Sequence, residues 1–170
     1  MIKRIFFGAV AGVIAGAAIL LAVPVFNASA ALNNFVITNY DIQYELSKNT
    51  ENQSVLKTTE IITANFLQAN VNRGIERAIP TSYNGHSTNL QIESVSKANG
   101  ATWQYSKNTS NDVAVLRIGN PDIYVSGEQT YKIVYTQTNV THFYADTDRD
   151  EWYWDTNGTE WKVPIQNLNI

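Results

Sequence analysis

Asp146, Asp148 and Asp150 place carboxylates at alternate positions, as at positions 1, 3 and 5 of a calcium loop. An EF-hand also needs Gly at position 6 and a bidentate Glu at position 12. Those positions hold Glu151 and Asn157, so the EF-hand fails and the default is a solvated acidic loop. A weak improvised calcium site is the alternative, and no metal ligand is assigned. His86 and His142 are the chain's two histidines, and neither has a second His at metal-ligand spacing. With no Cys there is no disulfide, thiolate nucleophile or thiolate metal site. No G-x-S-x-G nucleophile elbow occurs. A His-based hydrolase would need assembly wholly from distant residues. Paired carboxylates for glycoside hydrolysis are defined by spatial separation, and nothing singles out a pair. The sequence therefore yields no catalytic residue and no cofactor. Asn52, Asn108, Asn139 and Asn157 each sit in N-x-S/T, which matters only in a host that glycosylates exported proteins.

The densest signal runs from Asp150 to Ile165 and holds three of the four tryptophans. Trp152-Tyr153-Trp154 has aromatic β-propensity, and Asn157-Gly158 is a hairpin turn signal because both residues tolerate positive φ. Trp161-Lys162-Val163 resumes an extended pattern, with Pro164 at its end or at an edge. The stretch is expected to form strand, turn, strand. Trp152, Trp154 and Trp161 could present a stacking surface for a sugar or peptide. The plainer reading is aromatic anchoring in a core, since indoles bury large area.

This run, Asp150-Glu151-x-Tyr153-Trp154-x-x-x-Gly158-x-x-Trp161-x-Val163-Pro164-Ile165, resembles the signature of the predicted membrane proteins grouped as domain of unknown function family 2207. Thr59-Glu60-x-Ile62-Thr63-x-x-Phe66 resembles an early strand of that family, and Gly74-Ile75-x-Arg77-x-Ile79-Pro80 a second run. Ile118-Gly119-x-Pro121-Asp122, followed by Gly127 and Thr130-Tyr131, resembles a further one. The matches keep their order across nearly all of residues 31–170. They depart at Trp152 and Asp155, where the family usually has Leu and Asn. The resemblance implies the N-terminal extracytoplasmic domain of a membrane protein without a settled activity. It also marks Glu60, Arg77, Pro80, Asp150, Glu151, Trp154, Gly158 and Trp161 as structural candidates. Family members continue with more strand, membrane spans and often a glycine-rich tail, so the domain is expected to be incomplete at its C-terminus.

The elements that must position these residues follow from patterning. Lys3 and Arg4 precede an apolar run from Ile5 to Phe26, and Ala28-Ser29-Ala30 supplies an A-x-A cleavage site. That is the layout of a secretory signal over residues 1–30. The run is also long enough to span a bilayer as a signal anchor, with Gly8, Gly12 and Gly16 at small-xxx-small spacing. Either way the remainder, residues 31–170, is expected to be exported. Of the chain's 12 basic residues, Lys3 and Arg4 fall in that segment, leaving 10 against 15 acidic ones, a net charge of −5. An acidic balance argues against nucleic acid or an anionic membrane surface as partner.

From Asn34 the pattern has period two. Tyr40, Ile42, Tyr44 and Leu46 share one face of a half-buried strand. Leu56, Thr58, Glu60, Ile62, Ala64 and Phe66 alternate as a second, hairpin-paired strand. Ile75, Arg77 and Ile79 share a face before Pro80 stops the run. Tyr83–Asn89 reads as loop, Leu90–Ile92 as strand, Asn99-Gly100 as turn and Trp103–Ser106 as its return. Asn108–Asp112 reads as turn, Val113–Ile118 as strand and Gly119–Asp122 as turn, while Tyr131, Ile133 and Tyr135 mark a late strand. No helical stripe appears past residue 31. The expected fold is all-β, an immunoglobulin-like β-sandwich of about seven to eight strands preceded by an N-terminal signal helix. Arg77, flanked by Ile75 and Ile79, must snorkel to water or meet a carboxylate. Glu60 is the first candidate, and Asp150 or Glu151 the second.

The leading functional expectation is a non-catalytic envelope ectodomain for interaction or sensing. It would be membrane-associated through its N-terminal segment or a later anchor, with a protein or glycan partner. A carbohydrate- or peptide-binding module using exposed Trp152, Trp154 and Trp161 comes second, and a hydrolase third.

Overall fold

The structure, a computed structural model, describes residues 34–158 and 160–170. The expected signal segment at 1–30 lies outside the described residues. Among the described residues twelve strands form: β1 (Phe35–Lys48), β2 (Ser54–Phe66), β3 (Ile75–Pro80), β4 (Ser82–Tyr83), β5 (His86–Ser87), β6 (Gln91–Ser96), β7 (Tyr105–Ser110), β8 (Val113–Ile118), β9 (Gly127–Thr138), β10 (His142–Tyr144), β11 (Arg149–Glu151) and β12 (Leu168–Asn169). One sheet has the order β12-β1-β2-β9-β6 and a second the order β3-β8-β7. β4-β5 and β10-β11 are two-stranded ribbons. No helix occurs among the described residues, and so none there is long and apolar enough to cross a membrane.

The two sheets bury one core between them. Ile37, Tyr40, Ile62, Tyr131 and Ile133 come from the larger sheet; Ile79, Ala114, Leu116 and Ile118 come from the smaller. β2 alternates strictly between buried and half-buried residues along its whole length, because it is flanked by β1 and β9 with only one face on the core. Aromatic contacts reinforce the packing, with Trp103 stacked on Tyr131 at 4.9 Å and Phe35 against Phe66 at 5.0 Å. Such pairs contribute about 0.5–1.5 kcal/mol each beyond the area they bury.

Local chemistry sets the connections. Asn49 Oδ1 accepts from the backbone N–H of Glu51 and Gln53, closing the β1–β2 hairpin. Asn111 and Asp112 both take positive φ, +49° and +61°, and so close β7 onto β8. The strand thus runs through Asn108 to Ser110, where the sequence suggested a turn from Asn108. The segment Tyr83–Asn89 also differs from a plain loop. Ser82 pairs with Ser87 across a turn at Asn84-Gly85, both at positive φ. Leu46 shares the register of Tyr40 and Ile42 but is 47% exposed, near the hairpin end.

The largest departure is in the tryptophan run. Trp152–Trp154 and Trp161–Val163 lie in no strand and do not pair with each other. The turn at Gly158 is present, at φ +74°, but the chain beyond it runs alongside β1 instead. Ile37 N–H donates to Pro164 O at 3.0 Å, Gln166 N–H to Ile37 O at 2.9 Å, and Tyr40 N–H to Asn167 O at 2.9 Å. β12 then pairs with β1 in parallel. Aromatic propensity marked the run as one that packs on a sheet; the β1 edge, distant in sequence, took the backbone bonds.

Candidate functional site

Arg77 projects from β3 into the space between the sheets, because Ile75 and Ile79 on either side face the core. It is 3% exposed, and Glu60, which meets it from β2, is fully buried. The guanidinium grips the carboxylate in a bidentate fork, Nε to Oε2 at 2.8 Å and Nη2 to Oε1 at 2.7 Å. Nη1 donates to the Ala78 carbonyl. Tyr135 on β9 adds a third donor to Glu60, its hydroxyl lying 2.8 Å from Oε1. Two opposite charges taken out of water together are tolerable when each polar atom of the pair has a hydrogen-bond partner, as here. Burial works against the Arg77 charge, but the Glu60 carboxylate outweighs it and holds the guanidinium's pKa well above its usual value. Burial, and then the Glu60 charge, push the phenols of Tyr135 and Tyr40 far up and that of Tyr44 up to about 12.

The segment 152–161 lies against this cluster. Trp161 sits with its ring centroid 5.9 Å from the Arg77 guanidinium carbon and edge-on to Tyr40 at 6.0 Å. Its indole N–H donates to Asn157 O at 3.1 Å, closing the loop on itself. At Gly158 a Cβ would stand 3.1 Å from Arg77 Nη1, so the loop's tightest approach falls on a residue without one. Tyr44 donates its hydroxyl to Thr156 O at 2.7 Å and packs edge-on against Trp152 at 5.4 Å. Trp154 leans on Tyr83, with centroids 5.8 Å apart. All three indoles are half-buried, each against another aromatic ring.

The structure thus brings together Glu60, Arg77, Gly158 and Trp161, with Tyr135 as a member that only the fold reveals. It leaves the other candidates elsewhere. Asp150 and Glu151 sit on the exposed ribbon strand β11, so neither is the partner of Arg77. Asp150 pairs with Lys48 at 3.1 Å on the surface. A hydrogen bond from Tyr144 to Glu151 raises the pKa of that exposed phenol. Pro80 ends β3, and its carbonyl accepts from Gln137 Nε2 at 2.8 Å. Asp146 and Asp148 belong to the turn of the β10–β11 ribbon. Among the described residues no group of three or more His, Asp or Glu could hold a metal ion. His86 Nε2 contacts Asn139 O at 3.0 Å, while His142 packs on Tyr144 at 4.4 Å, on separate ribbons.

A groove of about 420 Å³ opens where β3, β8 and the start of β7 meet. Gly74 and Gly119, just beyond the last ladder pair Ile75–Ile118, line it. They adopt φ +142° and +145°, and a Cβ on either would lie 1.8 or 1.9 Å from a carbonyl oxygen of the opposing strand. Only glycine permits that approach. Arg73, Arg117 and Glu76 stand at the walls. Arg117 Nε donates to Glu76 Oε1 at 2.6 Å. Arg73 is 4.1 Å above the Tyr124 ring and donates to its hydroxyl at 2.7 Å.

Comparison with known proteins decides the family. The family described as predicted membrane protein (DUF2207), N-terminal domain, matches residues 36–170. The chain belongs to this family. The match takes in every strand from β2 to β12 and all the residues of the Arg77 cluster. No curated protein matches the chain. Among solved structures, the leukotriene A4 hydrolase of Saccharomyces cerevisiae overlaps 61% of this chain and 15% of its own, at 16% identity and a TM-score of 0.41. A two-domain M1 zinc metallopeptidase variant bound to L-arginine overlaps 67% of this chain and 22% of its own, at 10% identity and a TM-score of 0.39. The chain therefore spans under a quarter of the length of either enzyme.

Proposed function

We propose that residues 31–170 form a non-catalytic ectodomain, held on the outer face of a membrane and serving interaction or sensing rather than chemistry. The observation that carries this reading is the state of the Arg77 cluster. Its charges, the residues with the greatest catalytic potential in the core, are spent on one another and on the 152–161 loop. Neither a free general base nor an activated nucleophile remains in it. The family's description as a predicted membrane protein supports the membrane association. Lys3 and Arg4 ahead of the apolar run, with Ala28-Ser29-Ala30 after it, support export of the remainder. A stacking platform built on Trp152, Trp154 and Trp161 is less favoured, because each indole already rests on an aromatic ring of the sandwich.

The test is protease accessibility in intact cells. External protease should digest the β-sandwich without prior lysis, and mass spectrometry should find Ala31 as the first residue, an intact Met1 on membrane-bound protein supporting a signal anchor instead. Protection until lysis would overturn the ectodomain reading. Quenching of tryptophan fluorescence by a soluble quencher addresses the platform: strong quenching throughout would restore it.

A further inference from the structure

The geometry points to the groove at Gly74 and Gly119 as a binding site for a small amphiphilic carboxylate: an apolar body ending in one carboxylate group. The inference rests on the ectodomain reading only for where the ligand is met. The volume, about 420 Å³, lies within the range of pre-formed small-molecule sites. An apolar body would meet Pro121 and the edges of Ile75 and Ile118, beside the backbone of Gly74 and Gly119. The close approach of the two glycines fixes that backbone, since neither position admits a Cβ.

The walls suit one negative charge. They carry the guanidinium groups of Arg73 and Arg117 and the single carboxylate of Glu76. Glu76 is engaged by Arg117, which leaves one positive charge uncompensated in a chain of net charge −3. That charge belongs to Arg73, which has no carboxylate partner among the described residues. Tyr124 holds it by hydroxyl and ring face, a fixed mounting that leaves other N–H donors of the fork unspent. A second donor is already desolvated. Asn72, also in the wall, is 4% exposed, and its side-chain nitrogen has no hydrogen-bond acceptor. Such a buried donor is costly to leave unmatched, and a ligand oxygen would satisfy it. A guanidinium with unspent donors and an unmatched amide, both from residues lining one groove, suit a carboxylate and are a poor arrangement for a cation.

Two sources share this chemistry, a peptide C-terminus and a simple short-chain acid, and the test separates them. The protein as purified from the expressing cell is titrated by calorimetry with N-acetyl-alanyl-leucine, with the same dipeptide as its C-terminal amide, and with butyrate. The expected result is binding of the dipeptide acid and loss of about tenfold or more in affinity for the amide. Butyrate binding as tightly as the dipeptide would assign the site to simple acids; much weaker butyrate binding would assign it to peptide termini. Arg73→Gln should cost the acid about tenfold or more, while Lys107→Gln, an exposed charge outside the groove, should leave it unchanged. No binding of either acid up to millimolar concentration, equal binding of acid and amide, or acid binding indifferent to Arg73→Gln would each overturn the proposal. Binding is measured on purified protein, so its failure is distinct from a failure of export.

Discussion

Arg73 and Arg77 stand four positions apart and meet opposite fates. Arg77 enters the core, meets a carboxylate in bidentate geometry and is overlaid by Trp161. Arg73, past the end of the ladder, is exposed on a tyrosine at the lip of a groove. The break between them is Gly74. At φ +142° it stands just before the first ladder pair of β3, Ile75–Ile118. One glycine therefore separates a guanidinium that holds the sandwich together from one that is available to a partner. The same residue type serves stability or recognition according to how many of its donors the fold has already used.

That contrast breaks most sharply at Arg77. Arg77→Ala leaves the Glu60 carboxylate buried and unpaired, and should cost about 3–5 kcal/mol in chemical denaturation. Adding Glu60→Ala should cost little more, since the second change removes a charge already stranded. Additive losses in that double-mutant cycle would mean the two side chains do not act as a unit.

Gly119→Ala should come next. The new Cβ would meet the Arg73 carbonyl oxygen at 1.9 Å in a backbone conformation that L-residues avoid. Strain and overpacking together predict a loss of about 2–4 kcal/mol in the same assay. A variant as stable as the parent would show that the close approach of Gly74 and Gly119 is not fixed.

The phenols around Glu60 give a pH signature. Burial first pushes the Tyr44 phenol up to about 12 in the folded chain, and it raises those of Tyr40, Tyr131 and Tyr135 as well. An unfolded chain ionises them near their ordinary value of about 10. The folded state thus holds protons that the unfolded state releases. This contribution is complete below about pH 10 and is lost as pH rises through 10 to 12 and beyond. Phenolate absorbance should lag during alkaline titration and then rise together with unfolding. Smooth ionisation of every tyrosine near pH 10, with the fold intact, would contradict the burial.

Arg73→Gln should have the smallest effect, within about 0.5 kcal/mol, as for an exposed side chain. A loss as large as that of Arg77→Ala would erase the distinction between the two regions.

Much of this fold is readable locally. β2, β8 and β9 show period-two alternation because each has one face on the core. Arg77 between Ile75 and Ile79 announces a charge that needs a partner, and the matching face of β2 carries a carboxylate at Glu60. What local pattern cannot supply is partner choice over distance. The tryptophan run reads as a hairpin because its residues favour extended backbone, yet its two limbs stay unpaired and the chain beyond them joins β1, with Leu168 opposite Tyr40. The groove is hidden for the same reason. Gly74 and Gly119 each look like an ordinary turn residue, and only the ladder between β3 and β8 shows that they face each other. Tyr135 is similar: its apolar neighbours mark it as core, while its hydroxyl has a purpose only once β9 lies beside β2.

The parallel run of residues 163–169 along β1 bears on the order of assembly. β1 leaves the ribosome more than 110 residues before the segment that covers its outer edge. Until those residues arrive, the sheet offers a row of unpaired amides and carbonyls, a template for any extended chain. Closing so distant a pair is slow, because the intervening chain must be ordered first. During synthesis or translocation, the nascent sandwich therefore passes through an interval with one open border. Whatever binds that border in the cell, a chaperone or a second unfinished copy, competes directly with residues 163–169 of the same chain.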